Sequence, residues 1–275
     1  MSYKELIVEK DGPVAIITFN RPDAGNSFDM IMGIEFDHEI MRLSEDRDIR
    51  VIIVTGAGRF FSTGIDLSMF VTPERHAIED ESVLALMPTA EDQTFGKGTA
   101  VATAIRIRNM HKPVIAAVNG TAAGLGIAVA LACDIIIASE SARFSMAFVK
   151  RGVVPDTGAS FNLPRLVGIQ KACELTFTGD TIDAAEAGRI GMVSRVVPHD
   201  ELMREARELA ERIAKNPPLA IGLGKQQLYQ AMVETDMVEH MKREVDNMGR
   251  LMGTADFVEA ASAFMEKREP VFKGE

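Results

Sequence analysis

The sequence predicts an α/β protein whose C-terminal part is wholly helical, on three observations. Val51-Ile52-Ile53-Val54, Val114 to Val118 and Ile135 to Ile137 are apolar without interruption, the mark of strands buried on both faces. A helical stretch precedes the first of these runs and a short apolar helix lies between the last two, as in α/β folds. From Asp200 onward the period is helical, with Leu202, Ala206, Leu209 and Ile213 on one face and Arg and Glu on the other.

In chain order, Leu6 to Glu9 and Val14 to Phe19 are β-prone, and Asp11-Gly12 between them signals a hairpin. Arg21-Pro22 ends it, and a helix is expected from about Asp29 to Leu43. Between the first two buried strands, Thr72 to Gly98 has mixed charge, two prolines and no clean period. It reads as a variable segment in which Leu84, Leu86, Met87 and Phe95 shape a pocket. After Phe148 a loop from Gly152 to Gly158 leads to a helix towards Val167, a short helix at Ala184 to Gly188 and a last strand at Val193 to Val197. Asn216-Pro217-Pro218 stops the first C-terminal helix. Three more are expected near Ala220 to Met232, Val238 to Met252 and Asp256 to Lys267, the last presenting Phe257, Ala260, Ala261 and Phe264. The expected division is a core over residues 1–199 and a helical assembly region over 200–275.

A chain of 275 residues, 47% hydrophobic and 25% charged, can bury a full core. With 30 Lys and Arg against 40 Asp and Glu, the formal charge of −10 argues against a general nucleic-acid binder. Phosphate ligands stay open, since they need only a few local cations or a helix N-terminus. Cys133 and Cys173 offer neither a disulfide framework nor a metal pattern and read as reduced, buried thiols. The N-terminus lacks the layout of a signal peptide, so a cytoplasmic protein is expected. Pro113 to Cys133 has no charge and meets the length rule for a membrane helix. Asn119, Thr121 and the glycines at 120, 124 and 126 fit a strand, a loop and a buried helix better, and no membrane span is expected. Histidines 38, 76, 111, 199 and 240 are scattered, which predicts no metal site, and no GxSxG or GxxxxGK[ST] motif occurs.

Two segments share a design in which a buried strand runs into small residues and glycines. Val51 to Thr55 leads into Gly56-Ala57-Gly58-Arg59-Phe60-Phe61-Ser62-Thr63-Gly64-Ile65-Asp66-Leu67, and Val114 to Val118 into Asn119-Gly120-Thr121-Ala122-Ala123-Gly124-Leu125-Gly126. Glycines let backbone N–H groups approach a ligand, and a helix start adds unpaired donors. Two such groups aimed at one carbonyl oxygen would hold it as it turns negative. By spacing alone, simple turns between core elements explain the pattern equally well.

The content of FFSTGIDL, PVIAAVNGTAAGLGIAVALACDIIIAS, ARFSMAFVKRGVVPDTGASFNLPRLVG and FTGDTIDAAEAGRIGMVSRVVP resembles the crotonase superfamily from about Val14 to Pro198. FMEKREPVFKG is similar to that family's C-terminal helix. The resemblance implies a ClpP-like spiral of ββα turns with a helical C-terminal region, an acyl-CoA thioester as partner with no separate cofactor, and a homotrimer or homohexamer. Carried over residue by residue, it puts the oxyanion donors on the backbone N–H groups of Ile65 and Leu125. It puts substrate contacts at Thr63, Gly64, Leu67, Gly124 and Phe148, and contact with the CoA phosphates at Lys267.

The family's hydratases place and activate water with two glutamates, and the corresponding positions here are Ala128 and Phe148. Asp156 does fall on a position where some family isomerases keep an acid. The pattern Ala147-Phe148, Pro155-Asp156, Leu163-Pro164-Arg165 is most similar to the ring-opening, oxepin-forming isomerase of phenylacetate breakdown. One acid suffices to move a double bond: it takes a proton from C2 and returns it at C4 while the hole holds the dienolate. Met146, Phe148 and Phe161 are expected to keep water from it. A turn role after Pro155 remains open for Asp156. So do an unconventional enoyl-CoA hydratase and a catalytically silent acyl-CoA binder for the whole chain. Asp66 and Asp134 read as satisfying local backbone groups.

Overall fold

A computed structural model describes residues 3–72, 78, 80–87 and 100–275. Phe95, and with it much of the segment expected to shape a pocket, lies outside the described residues. The chain opens with β1 (Leu6–Asp11) and β2 (Val14–Phe19), paired antiparallel from Leu6 opposite Phe19 to Asp11 opposite Val14. Gly12 makes the turn at φ +54°. α1 (Met30–Glu45) starts where the Asp29 side chain caps the N–H of Met32.

The rest of the body is a spiral. β3 (Val51–Gly56) is followed by β4 (Phe60–Ser62) and the helices α2 (Ser68–Val71), α3 (Glu81–Leu84) and α4 (Ala100–Asn109). The next turn is β5 (Val114–Val118), β6 (Thr121–Ala123) and α5 (Leu125–Ala132). Then come β7 (Ile135–Ser139), β8 (Arg143–Ser145), α6 (Ala159–Val167) and α7 (Ile169–Thr178). β9 (Thr181–Asp183), α8 (Ala184–Arg189) and β10 (Arg195–Val197) complete it. The long strands form one sheet ordered β1-β2-β3-β5-β7-β10, parallel from β2 onward. The short ones form a second sheet, β4-β6-β8-β9, in which only the β8–β9 pair is antiparallel. This is the ββα spiral of the crotonase fold. The uncharged stretch from Pro113 to Cys133 resolves into β5, β6 and α5, and no helix among the described residues is long and apolar enough to cross a membrane.

The full burial of the central strands follows from their position between two cores. Ile52, Val54, Val114 and Ala116 face one cluster with α1, α4 and α5, whereas Val51, Ile53, Ile115 and Ala117 face another under α9 (Leu202–Ala214). Each of the Val and Ile side chains contributes about 1.5–3 kcal/mol by leaving water. α9 lies close to the sheet because its fully buried residues are Leu202 and the small Ala206, Ala210 and Ala214; Leu209 and Ile213 sit at the margin, a rotation from the face expected.

α10 (Pro218–Ala231) is pinned by a buried lysine. Lys225 Nζ donates to Asp134 Oδ2 (2.8 Å), Ile107 O (2.6 Å) and Lys112 O (2.9 Å), while Asp134 also accepts from Tyr229 and from the N–H of Val114. Burial holds this lysine below its usual range although Asp134 opposes it. α11 (Met237–Met252) buries no residue, and in α12 (Ala255–Glu266) the buried residues are Asp256 and Ala263. Phe257 and Phe264, which the terminal helix was expected to present, are exposed. Asp256 collects the N–H groups of Lys273 and Gly274, and Phe272 O accepts from the Arg50 guanidinium. Cys133 is buried, and Cys173, expected buried, is half-exposed.

Successive turns of the spiral touch backbone to backbone. A Cβ on Gly120 would lie 1.9 Å from Arg59 O, so Gly120→Ala should destabilise the protein by roughly 3 kcal/mol or more in urea unfolding. Gly224, in α10, has nothing within 4 Å of a Cβ, and Gly224→Ala should stabilise it by about 0.5–1 kcal/mol.

Candidate active site

The site grows from the pairing of β4 with β6. These short strands run parallel, Phe60 opposite Thr121 and Ser62 opposite Ala122, so both glycine turns leave the small sheet at the same end. The first turn passes through Thr63 and Gly64 (φ +104°), and the second through Gly124 (φ +52°) into α5. Neither φ suits a residue with a side chain. A Cβ on Gly64 would lie 2.9 Å from Ala123 O and 3.2 Å from Leu125 N, so the two turns flank one niche.

Phe28 orients the first donor. Its N–H bonds Gly64 O (2.7 Å) and its C=O accepts from Asp66 N (2.8 Å), a parallel bridge centred on Ile65. Because Phe28 bonds the residues on either side, the N–H of Ile65 points away from it. Leu125 is the first residue of α5, where N–H groups have no intrahelical acceptor. Neither N–H has an acceptor among the described residues. A negative oxygen between them would gain both hydrogen bonds and the positive end of α5.

Around the niche, Ile65, Leu67 and Thr63 are exposed, and the Leu125 side chain is half-buried against the core. The Gly124 N–H donates to Ser145 O (3.1 Å), which sets the end of β8 and the following Met146 to Phe148 beside the second turn. Phe148 and Ala128 are both buried. Cavities of about 620 and 490 Å³ lie at the other ends of the parallel strands, lined by Asp134, Lys225 and Tyr229 in one and Arg50, Lys112 and Pro218 in the other.

Asp156 stands in the turn ahead of α6, with Thr157 at φ +51° and Gly158 at φ +77°. Thr157 is β-branched and buried, so its left-handed backbone costs of order 1–3 kcal/mol and holds the turn in an uncommon shape. The Asp156 carboxylate accepts from the Thr157 hydroxyl (3.2 Å) and is otherwise exposed. Met146 and Phe148 are buried in the core and Phe161 is partly exposed, so within one chain they do not enclose this acid as expected. No described contact joins Asp156 to either donor; the link between them is the packing of α6 on α5. Lys267 ends α12 at φ +54° and is exposed. Its tail is anchored to Arg50, ahead of β3, whereas the niche follows the far ends of β3 and β5. Asp66 takes the Ser68 N–H and hydroxyl on Oδ1 and Arg21 on Oδ2, a structural role like that of Asp134.

Phe28 and Asn26 were not singled out by the sequence reading. Asn26 is buried at φ +51°, with its amide on Ala57 O and Phe60 O, and so joins the chain ahead of α1 to the loop before β4. The Gly25-Asn26 pair is the signal that could have marked it, since Asn tolerates this backbone better than most residues.

This spiral with its paired glycine turns defines a protein of the crotonase class. The family model described as enoyl-CoA hydratase/isomerase matches residues 9–275, and the chain belongs to that family. It is 38% identical to the short-chain-enoyl-CoA hydratase of Clostridium acetobutylicum, over 98% of this chain and 97% of that protein. It is 37% identical to the carnitinyl-CoA dehydratase of Salmonella typhimurium, over 98% and 99% respectively. Among solved structures, an enoyl-CoA hydratase from Bacillus anthracis matches with a TM-score of 0.86 at 32% identity, covering 99% of this chain and 100% of that one.

A methyl group at position 64 would part the two turns. Gly64→Ala should keep the circular dichroism of the folded protein and lose about 10²-fold or more in rate on any carbonyl substrate the enzyme accepts.

Proposed function

We propose that this chain shifts a double bond in an enoyl-CoA. The thioester oxygen sits between the N–H groups of Ile65 and Leu125, and Asp156 carries the proton from C2 to C4. The observation that carries this reading is the fate of three positions. Ala128 and Phe148, where the resemblance puts the hydratase glutamates, are buried and apolar, while the Asp156 carboxylate is exposed and bonded only to Thr157. Without a carboxylate at either position no general base activates water, which costs about 10²-fold or more. Thr63, Gly64, Leu67, Gly124 and Phe148 shape the substrate side of the niche.

The names of the relatives favour a second reading, an enoyl-CoA hydratase, since proteins so named match over nearly their full length. A further alternative is a silent acyl-CoA binder that keeps the niche alone.

The protein works in the cytoplasm as a trimer or hexamer, with coenzyme A entering only as part of the substrate. The support for assembly is α11, whose Val238, Met241, Val245, Met248 and Met252 form an exposed stripe at alternating steps of three and four. Lys267, whose tail is anchored ahead of β3 and away from this chain's niche, reaches CoA phosphates in a neighbouring copy.

Conversion of a 3-enoyl-CoA to the 2-enoyl form should fall at least about 10²-fold in Asp156→Ala, measured by absorbance of the conjugated thioester. Fast hydration of crotonyl-CoA would favour the hydratase, and acyl-CoA binding without exchange of the C2 proton into deuterated water the silent binder.

A further inference from the structure

One cation holds both sides of the Phe28–Ile65 bridge. Arg21 Nη1 donates to Ser27 O (2.6 Å), the carbonyl just before Phe28. Its Nη2 pairs with Asp66 Oδ2 (3.2 Å), the carboxylate just after Ile65. The same Nη2 lies 3.3 Å from Asp29 Oδ2, at the cap of α1, and Nε lies 3.0 Å from Glu5 Oε1. All four side chains are largely out of solvent, with exposures of 17% for Arg21, 18% for Asp66, 9% for Asp29 and 15% for Glu5. A single guanidinium therefore faces three carboxyl groups, and the hold on Asp66 depends on how strongly the other two compete.

We infer that Arg21 is the positioning residue of the first oxyanion donor, and that the protonation of Glu5 sets how firmly it grips Asp66. The inference rests on the reading of the niche given above. Glu5 Oε2 is buried without a hydrogen-bond partner among the described residues. An ionised carboxylate oxygen left unpaired in such a place costs far more than a protonated one, whose O–H can be donated to the Asp29 carboxylate beside it. Burial, followed by the Asp29 carboxylate beside it, pushes Glu5 up to about 8 against the pull of Arg21. The other charged groups facing this pair are Glu35, which accepts the N–H groups of Lys4 (2.8 Å) and Glu5 (2.9 Å), and Lys4, whose ammonium is bound to Asp80. Asp66 itself is held below its usual range: burial raises it, but Ser68 and Arg21 more than offset that, so it stays ionised and keeps its claim on Arg21.

The direction with pH follows. Glu5 is raised in the folded state, so the stabilisation linked to its proton is full below the ordinary value of 4.5 and is lost as pH rises towards 8. Over that rise a third carboxylate appears beside Arg21 and draws the guanidinium from Asp66. The bridge that aims the Ile65 N–H loosens, and turnover declines on the alkaline side.

The test uses the full-length protein with Arg21→Met, Arg21→Lys and Glu5→Gln. Arg21→Met should lower kcat about 10²-fold while KM for the acyl-CoA moves less than about threefold, and Arg21→Lys should recover part of it. Glu5→Gln should leave kcat near the wild-type value at neutral pH and remove the alkaline decline. Hydrogen exchange of the Phe28 and Asp66 amides, which close the bridge, needs no substrate. It should quicken at least about tenfold in Arg21→Met and, beyond the intrinsic pH effect, in the wild type above the ionisation of Glu5. Arg21→Met with kcat and exchange unchanged, or a Glu5→Gln enzyme that keeps the alkaline decline, overturns the inference. A wild-type protein that turns over no acyl-CoA overturns the functional reading instead, and amide exchange then decides on Arg21 alone.

Discussion

The site depends on a contact that involves no side chain, the approach of one turn of the spiral to the next at glycine. Gly120 packs on Arg59, Gly126 on Ser62 and Gly64 on Ala123 to Leu125, while Gly56 packs on the Phe60–Phe61 backbone within its own turn. With a Cβ at these places the short strands β4 and β6 could not stack in register, and the two N–H groups would point at different volumes of space. Bulk apolar burial holds the large sheet together, but it is non-directional and tolerates shifts that a pair of hydrogen bonds does not. Aim comes from backbone contacts in the small sheet.

Much of the large sheet is legible in sequence because its strands are buried on both faces, and apolar runs bounded by turns mark that environment. The hairpin, α1, β3, β5, β7 and the C-terminal helices fall within a few residues of their expected places. β4, β6, β8 and β9 have three residues each, too few to show a period, so the sheet that aims the donors left no pattern of its own. α4 and α7 escaped for another reason: α4 follows a polar stretch without period, and α7 begins directly after α6 at Gly168. In α12 the apolar pattern of Phe257 and Phe264 was plain, but both side chains are exposed among the described residues.

The site was legible to the extent that it is glycine. Gly64 and Gly124 announce positive φ and close approach, and both occur where a positive φ is required. The groups that steady those turns are not announced. Phe28 acts through its backbone, Arg21 reads locally as the residue before a proline, and Glu5 lies far from both along the chain. Their relation exists only once β1 and β2 have paired and α1 has been capped by Asp29, so it belongs to tertiary structure.

Family and reaction are therefore written in different residues. The niche needs a shape, which the glycines and the small sheet supply, and the chain is similar to proteins named hydratases over nearly its whole length. The choice between adding water and moving a proton needs a carboxylate at particular points, and one substitution at each of a few positions changes it. Ala128 and Phe148, where the resemblance puts the hydratase glutamates, are buried and apolar in this chain, and on the proposed reading their side chains supply no base. Asp156, on an exposed turn, carries no such constraint. Overall likeness reports the framework, and the chemistry has to be argued from these three side chains.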